Sequence, residues 1–322
     1  MDKQIFAPKP ENALGPWDVV IIGSGPASLT AAIYTTRGAA STLILGGESW
    51  GGQLMLTTIV DNYPALPGIQ GPELMQKMRE HATRFGGEFL EKNVDAVNLE
   101  KIPFELTAGG QKYLARSVII ATGAETQWLG IPGEDKLRGR GVSSCAPCDA
   151  PFFKNKSVVV IGGGDSAMEE ALVLTKYATS VTIIHRREEF KASVAMQKKV
   201  FDLEGAGKIK IIWDSQVVEF IGQQKLEKVK IKNSKTGELS EIKVEGAFVA
   251  IGHVPSSEIF KGGVELDEKG YILLHDYTKT NIPGVFVAGD VHDYHYKQAV
   301  TAAGFGCMAG MDALKFLEEL KS

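Results

Sequence analysis

Two cysteines stand three residues apart in the middle of the chain, Cys145 and Cys148, with Asp149 directly after them. At this spacing the two thiols can interconvert between a dithiol and a disulfide. The thiolate is the nucleophile in such an exchange, and pairs of this kind commonly contain one thiol of lowered pKa. The carboxyl group of Asp149 could shuttle the proton that thiolate formation releases. The segment therefore predicts a redox-active disulfide.

Two other interpretations of the cysteine pair stay open at this point, namely half of a zinc site and two unreactive buried thiols. Structural zinc needs four ligands, which two such cysteine pairs commonly supply. The third cysteine, Cys307, is far away in sequence and has the surroundings of a small packing residue, while His292 and His295 fall in the other predicted domain. This count disfavours zinc, so we predict that the protein binds no metal.

Two glycine-rich turns predict the binding of dinucleotides. In the pattern Gly-x-Gly-x-x-Gly/Ala the first glycine makes the turn, the second lets the backbone approach a pyrophosphate, and the third small residue lets helix pack on strand. The helix N-terminus then attracts the anion. These positions are held by Gly23, Gly25 and Ser28 in the first copy, and by Gly162, Gly164 and Ala167 in the second. Such turns also occur without a ligand, but two copies in one chain favour two nucleotide sites.

The residues that follow the second strand of each copy indicate which nucleotide is bound. In NAD sites an acidic residue stands here and binds the ribose hydroxyl groups. The second copy instead has His185, Arg186 and Arg187, followed by Lys191. Guanidinium groups bind phosphate with two hydrogen bonds, so this cluster predicts the 2′-phosphate of NADP, with a solvated charged turn as the alternative. The first copy has Gly46 at this place, and the pattern alone leaves its ligand open.

The elements around the two turns predict the fold class. The predicted strand, helix and strand of each copy span 17–22, 29–37 and 42–45, and then 157–161, 168–177 and 181–184. Apolar runs of strand length that alternate with helical patterns are typical of parallel α/β units. We therefore predict an α/β fold with two Rossmann-like dinucleotide-binding domains. Within the second, residues 233–237 have the composition of a hairpin turn between strands.

No low-complexity linker divides the chain, although two nucleotide sites of this design need two domains. Residues 121–124 and 250–253 each end an apolar strand, and together they bracket the second glycine turn. We interpret them as the two crossings between domains. The prediction is a discontinuous first domain of residues 1–124 and 253–322, with a second domain of residues 125–252 inserted into it and carrying the cysteine pair.

Length and charge exclude several other classes of protein. A chain of 322 residues exceeds the size at which a single hydrophobic core stops growing, which favours two domains. A net charge of -4 argues against a nucleic-acid binder, and the longest apolar runs are too short to span a membrane. Residues 1–16 resemble neither a signal peptide nor a transit peptide, and three cysteines form no secreted disulfide framework. The cytoplasm is therefore the expected location.

Taken together, these features closely resemble the bacterial-type, low-molecular-weight thioredoxin reductases over nearly the whole chain. The Cys-x-x-Cys-Asp sequence just before the second glycine turn is the most specific of them. Other segments resemble those that contact the flavin in that family, namely Gly51-Gly52-Gln53-Leu54, Asn62-Tyr63-Pro64, Ala121-Thr122-Gly123, residues 285–290 and Lys297-Gln298-Ala299. The resemblance implies the FAD- and NAD(P)-binding fold of the pyridine nucleotide-disulfide oxidoreductases.

The resemblance also implies an activity and roles for individual residues. Hydride would pass from NADPH to FAD and on to the Cys145-Cys148 disulfide, and the dithiol would reduce thioredoxin, in a homodimer. Cys148 would face the flavin, Cys145 would attack the partner, and Asp149 would act as acid and base. The residues expected to bind FAD are Gly23, Ser24, Gly25, Pro26, Ala27, Gly52, Gln53, Leu54, Asn62, Ala121, Thr122, Gly123, Gly289, Asp290, Lys297, Gln298 and Ala299. Those expected to bind NADPH are Gly162, Gly164, Asp165, Ser166, Ala167, His185, Arg186, Arg187 and Lys191.

The chain departs from the family pattern at three of these places. Pro147 stands where threonine is usual, and Lys191 and Lys297 stand where arginine is usual. Lysine keeps the charge but loses the bidentate geometry of arginine. Three other functions remain as alternatives, namely a ferredoxin- or flavodoxin-NADP reductase, which needs no cysteine pair, a reductase of another thioredoxin-like carrier, and a non-enzymatic flavin-binding protein.

Overall fold

The computed structural model of this protein describes residues 7–57 and 59–321. These residues form two compact units. The first combines the described residues up to Glu125 with those from Val254 onward, and the second is Thr126–His253. The second unit is therefore an insertion into the chain of the first.

The regular elements are named here in chain order. The strands are β1 (Trp17–Ile22), β2 (Thr42–Leu45), β3 (Glu88–Leu90), β4 (Val94–Asn98), β5 (Phe104–Ala108), β6 (Gln111–Ile120), β7 (Ala124–Thr126), β8 (Val142–Ser143), β9 (Ser157–Ile161), β10 (Ser180–Ile184), β11 (Ile209–Ile212), β12 (Ser215–Ile221), β13 (Lys228–Asn233), β14 (Leu239–Lys243), β15 (Gly246–Val249), β16 (His253–Pro255) and β17 (Val285–Val287). The α-helices are α1 (Pro26–Arg37), α2 (Gly71–Arg84), α3 (Glu134–Leu137), α4 (Ala146–Asp149), α5 (Asp165–Leu174), α6 (Val194–Gly205) and α7 (Ala299–Glu319).

The first unit is built on a sheet with the strand order β3-β2-β1-β6-β5-β4, in which β17 also pairs with β6. Strand β1 pairs in parallel with β2 and with β6, and nearly all of its residues are buried because both of its faces are covered. The strands predicted over 17–22 and 42–45 are confirmed as β1 and β2. The prediction that the first helix begins at residue 29 was wrong. It begins at Pro26, where a residue without an N–H donor fits the first helical turn.

Helix α7 packs along α1 in the first unit. Among the residues that the structure describes, it is the one helix that is long and apolar enough to span a membrane by length and composition. Its buried face includes Ala309 and Ala313, which belong to the same core cluster as Ala27 and Ala31 of α1. Small side chains on both helices allow this close packing, which is typical of a core helix in a globular unit.

The second unit contains a parallel sheet in the order β11-β10-β9-β15-β8 and an antiparallel sheet in the order β12-β13-β14. The strands predicted over 157–161 and 181–184 are confirmed as β9 and most of β10. The turn predicted over 233–237 is also confirmed, because β13 and β14 pair antiparallel on either side of it.

The helix of the second unit lies three residues earlier in the chain than predicted. The sequence pattern placed it over 168–177, but α5 begins at Asp165, directly after Gly164, and residues 175–177 form a turn. Its first N–H groups therefore stand at the glycine turn itself, where an anion would be bound.

Candidate redox centre and dinucleotide sites

Cys145 and Cys148 are joined by a disulfide in the second unit, with their Cα atoms 5.3 Å apart. Cys145 is the N-cap of α4, a single helical turn that starts at Ala146. The N–H groups of Cys148 and Asp149 donate to the carbonyl oxygen of Cys145 at 3.2 and 3.1 Å. Both cysteines are half-buried, so the pair is not enclosed in the core as two inert thiols would be.

The carboxyl group of Asp149 is tied to the disulfide through Ser143. The Ser143 hydroxyl donates to Asp149 Oδ2 at 2.6 Å, and the N–H of Cys145 donates to Ser143 Oγ at 3.1 Å. Burial raises the pKa of the Asp149 carboxyl above its usual range, and the bond from Ser143 holds part of that rise back. Asp149 is therefore placed and tuned to hold a proton near the thiols. Ser143 was missed by the sequence analysis, because nothing in its type or spacing marks it.

Glu170, on the second turn of α5, also contacts the cysteine segment. Its carboxylate accepts a hydrogen bond from the backbone N–H of Ala146, the first residue of α4. Glu170 lies 24 residues from Ala146 in sequence, so this contact depends on the packing of α4 against α5 and no local pattern predicts it.

The three side chains considered for a zinc site, Cys307, His292 and His295, belong to the first unit, whereas the cysteine pair belongs to the second. Cys307 lies on α7, and His292 packs edge-on against Phe305 with ring centroids 4.2 Å apart. Burial lowers the pKa of His292 to about 4, so its ring is neutral at physiological pH. Within residues 7–57 and 59–321, no group of three or more His, Cys, Asp or Glu side chains could hold a metal ion.

The first glycine turn is shaped to let a ligand approach the backbone. Gly23 has φ +119°, and a Cβ on it would lie 2.1 Å from the carbonyl oxygen of Ala121, so only glycine fits there. A Cβ on Gly25 would meet no atom within 4 Å, so the backbone at this point faces open space. Ser28, which is larger than the usual small residue, directs its hydroxyl to the Gly23 carbonyl at 2.6 Å. The turn thus keeps the expected geometry despite the serine.

Ser24 connects the first glycine turn to the segment predicted to contact the flavin. Its hydroxyl donates to the carbonyl oxygen of Gly46 at 2.6 Å and accepts the N–H of Gly51 at 2.8 Å. Gly51 is the N-cap of the short 3₁₀ turn Gly52–Leu56, which contains Gln53 and Leu54. Two predicted site segments are therefore joined by one buried hydroxyl group.

The C-terminal part of the first unit brings further predicted residues together. Asn62 Nδ2 donates to Gln298 Oε1 at 3.1 Å, and Gln298 forms a capping box at the start of α7 with Thr301. A Cβ on Gly289 would lie 2.9 Å from Cβ of Ala27, in the first turn of α1. The predicted Asn62, Gln298, Gly289 and Ala27 thus belong to one local assembly of the first unit.

Asp290 has a buried carboxyl oxygen that is available to a hydrogen-bond donor from a ligand. Its Oδ1 atom is buried and has no hydrogen-bond partner among the described residues. Burial, with the nearby charge of Asp293, raises the pKa of Asp290 to about 7, against the opposing effect of Lys297. A buried polar atom without a partner costs free energy, which a hydroxyl donor from a bound molecule would recover. The residues of the first unit therefore fit FAD, whose ribityl chain carries hydroxyl groups.

The second glycine turn repeats the geometry of the first. A Cβ on Gly162 would lie 2.3 Å from the carbonyl oxygen of Ala250, while one on Gly164 would meet no atom within 4 Å. Asp165 accepts hydrogen bonds from the N–H and hydroxyl of Ser193, at 2.9 and 2.7 Å. The N–H of Lys191 donates to the carbonyl oxygen of Gly163 at 2.8 Å. The loop of Lys191 is thus held against the turn, as a shared nucleotide site requires.

The cluster after β10 divides into one structural residue and two exposed cations. His185 is buried against Gly163, its Nε2 lies 2.9 Å from the carbonyl oxygen of Glu189, and burial lowers its pKa. We therefore expect His185 to support the turn rather than bind phosphate. Arg186 and Arg187 are exposed, as residues that bind a phosphate from solution must be.

Lys235, which the sequence analysis missed, balances the acidic residue beside the two arginines. Lys235 lies on the turn between β13 and β14. Its ammonium group is 2.8 Å from Glu188 Oε2 and 2.9 Å from Asp214 Oδ2. The pair with Glu188 is exposed and contributes little to stability, whereas the Asp214 carboxylate of the second pair is partly buried. The pair with Lys235 balances the charge of Glu188, which would otherwise be an unpaired negative charge next to Arg187.

Comparison with known proteins agrees with this arrangement. Residues 17–306 match the family model described as pyridine nucleotide-disulphide oxidoreductase. The thioredoxin reductase of Streptomyces coelicolor is 50% identical over 307 residues, which cover 94% of each chain. That of Rickettsia conorii is 49% identical over 307 residues, 94% of this chain and 98% of the relative.

Solved structures show the same likeness. Thioredoxin reductase from Giardia duodenalis has a TM-score of 0.90 at 42% identity, covering 94% of this chain and 99% of that one. The enzyme from Streptococcus pyogenes has a TM-score of 0.89 at 39% identity, covering 94% and 98%. A disulfide on a single helical turn and two dinucleotide turns of like geometry thus occur in a chain that matches these proteins over nearly its whole length. The chain belongs to the pyridine nucleotide-disulphide oxidoreductase family, among its bacterial-type thioredoxin reductases.

Proposed function

We propose that Cys145, Cys148 and Asp149 are the redox centre through which this enzyme reduces thioredoxin. The protein is an NADPH-dependent thioredoxin-disulfide reductase. The observation that supports the assignment of these three residues is the half-buried Cys145-Cys148 disulfide, linked through Ser143 to the buried carboxyl group of Asp149. Neither a ferredoxin-NADP reductase nor a simple flavin-binding protein needs such an arrangement.

We assign FAD to the first unit and NADPH to the second. In these sites FAD would supply the capacity to take a hydride from NADPH and to deliver an electron pair to the disulfide. The Gly23 turn and α1 would hold the FAD pyrophosphate, and Asp290 would accept a hydrogen bond from a ribityl hydroxyl group. The Gly162 turn and α5 would hold the pyrophosphate of NADPH. Arg186, Arg187 and Lys191 would bind the 2′-phosphate.

The reduced cysteine pair performs the exchange with thioredoxin in two displacements. The Cys145 thiolate attacks one sulfur of the partner disulfide, which forms a mixed disulfide and releases a partner thiolate. The Cys148 thiolate then attacks Cys145 Sγ, which closes the Cys145-Cys148 bond and releases the second partner thiolate. Asp149, with its raised pKa, supplies a proton to a leaving thiolate. Two electrons and two protons thus move from the dithiol to thioredoxin.

The enzyme is further proposed to work in the cytoplasm as a homodimer, by its likeness to the bacterial-type thioredoxin reductases. Light scattering of the eluted enzyme gives its mass directly, and a mass of one chain at working concentration would contradict the dimer.

Stopped-flow reduction tests donor, flavin and acceptor in one experiment. Anaerobic NADPH is expected to bleach the bound flavin faster than NADH does, because Arg186 and Arg187 face solvent after β10 in place of the usual acid. Oxidised thioredoxin added next should be reduced and restore the flavin absorbance. An oxidised glutaredoxin serves as the competing carrier. A flavin that bleaches but never passes electrons to thioredoxin would contradict the proposed function.

Substituting Ser143 with alanine is expected to shift the pH profile of thioredoxin reduction. The Ser143 hydroxyl bond favours the ionised form of Asp149, so its loss raises the pKa of that carboxyl further. Activity that needs protonated Asp149 falls as pH rises through this pKa. The alkaline limb should therefore move to higher pH. Ser144→Ala is the control, because it removes a neighbouring hydroxyl group that pairs with Thr126 Oγ1, at 3.4 Å, and not with Asp149. An unshifted limb in Ser143→Ala would remove Asp149 from this role.

A further inference from the structure

Four backbone N–H groups of the cysteine segment, those of Cys145, Ala146, Cys148 and Asp149, donate to acceptors other than sulfur. The N–H of Cys145 donates to Ser143 Oγ, and that of Ala146 donates to the Glu170 carboxylate. The next residue is Pro147, which has no N–H. Pro147 stands where threonine is usual in the family, and it removes one backbone donor from this turn.

The two remaining N–H groups of α4 donate to a backbone carbonyl oxygen. Those of Cys148 and Asp149 both donate to the carbonyl oxygen of Cys145. Thiols of lowered pKa in other proteins differ in this respect, because a thiolate is stabilised when backbone N–H groups or positive charges face the sulfur. Here the carboxylate of Glu170 accepts the first N–H of α4, and a negative charge at this place would not stabilise a thiolate.

We infer that Glu170, together with Pro147, is a positioning residue that keeps the Cys145 thiolate unstabilised and the dithiol strongly reducing. Glu170 holds the first N–H of α4, which a sulfur anion could otherwise use, and it adds a negative charge beside that N–H. This inference rests on the proposed function of the Cys145-Cys148 pair, and it concerns contacts within the second unit only.

The direction of the effect follows from the electron balance. When the dithiol reduces thioredoxin, it loses two electrons and two protons and closes its S–S bond, while the thioredoxin disulfide gains them and opens. Any contact that stabilises the thiolate stabilises the reduced form and makes the pair a weaker reductant. A carboxylate that withholds the Ala146 N–H acts in the opposite direction, which favours electron flow to the partner.

Three variants of the flavin-loaded enzyme test this role. Glu170→Ala removes both the charge and the acceptor, and Glu170→Gln keeps an acceptor while removing the charge. Pro147→Ala adds an N–H without touching Glu170. Glu169→Ala is the matched control, because Glu169 is an exposed acid on the same helix and its loss changes the net charge equally. Retained flavin and an unchanged rate of bleaching by NADPH show that each variant is folded.

Two measurements report on the thiolate directly. The first is the rate at which iodoacetamide alkylates Cys145 in the NADPH-reduced enzyme at neutral pH. The second is the thiol-disulfide equilibrium constant in dithiothreitol buffers above the titration range of the thiol. For Glu170→Ala we expect about tenfold more thiolate at neutral pH, which gives about threefold faster alkylation because nucleophilicity falls with basicity. At alkaline pH the equilibrium constant should move up to about tenfold toward the dithiol, a potential about 30 mV more positive.

The outcomes separate this inference from the proposed function. Faster alkylation and a more positive potential in Glu170→Ala and Pro147→Ala, with smaller changes in Glu170→Gln, would support the tuning role. If Glu170→Ala and Pro147→Ala both match Glu169→Ala in the two measurements, the role is overturned, although the wild-type enzyme still reduces thioredoxin. A wild-type enzyme that fails to reduce thioredoxin would instead overturn the proposed function, whatever the Glu170 variants show.

Discussion

Cys145→Ser and Cys148→Ser enzymes are expected to bleach their flavin with NADPH but to reduce thioredoxin several orders of magnitude more slowly than the wild type. Each variant lacks one sulfur of the disulfide that accepts the electron pair. Removing the nucleophile of a covalent mechanism typically leaves only background turnover. The two variants should differ in a trapping experiment. Only the enzyme that keeps Cys145 should form a stable mixed disulfide with thioredoxin, because its resolving thiol is absent.

Cys307→Ser is the control for these two variants. Cys307 lies on α7 in the other unit, and its loss should leave thioredoxin reduction within a small factor of the wild-type rate. The measurement is steady-state reduction of thioredoxin with NADPH, followed by gel analysis of the trapped complex. Cys145→Ser enzyme that still reduced its acceptor would mean that electrons leave the flavin directly, as in a ferredoxin-NADP reductase.

The double variant Arg186→Ala/Arg187→Ala is expected to lose most of the preference for NADPH. Hydrogen bonds to a charged group are worth about 1.5–3 kcal/mol each, so kcat/KM for NADPH should fall by roughly a hundredfold or more. The value for NADH, which has no 2′-phosphate, should change little. Lys191 keeps part of the phosphate attraction, since its loop stays fixed by the bond to Gly163.

The matched control removes two other exposed cations from the same unit. Lys208 and Lys210 are exposed at the start of β11, so Lys208→Ala/Lys210→Ala changes the net charge equally. The measurement is flavin reduction with both nucleotides over a range of salt concentrations. Salt strongly screens the long-range attraction of the nucleotide to positive charge but weakens a direct contact with the 2′-phosphate less, so the two effects can be separated. Equal losses with NADPH and NADH in the arginine variant would place the 2′-phosphate elsewhere.

Much of the fold could be predicted because each local pattern has one physical solution. A strand-length apolar run such as 17–22, followed by a glycine turn, has to be buried on both faces, and it is. The ends of α1 and α5 were harder, because proline at a first turn and a glycine just before a helix permit an earlier start than the apolar pattern shows.

The candidate site was predictable only where function resides in residue type. The cysteine pair and both glycine turns stand out because few other residues can perform exchange or let a backbone approach a pyrophosphate. His185 was predicted as a phosphate ligand by its position, but its side chain is buried under the turn, so we now expect a supporting role. Burial of one side chain in a charged cluster depends on its three-dimensional neighbours.

The sequence by itself determined the chemistry of this protein, through Cys145, Cys148 and the two glycine turns. Side-chain type and short-range spacing suffice for that, because residues that are neighbours in sequence lie close together without tertiary packing. The tertiary structure decided how the pair is tuned. Ser143 links Asp149 to Cys145, and the carboxylate of Glu170 reaches Ala146 from another helix. Electrostatic and hydrogen-bonding effects depend on distance in space, and only the packing of α4 against α5 brings that carboxylate to the N–H of Ala146, next to Cys145.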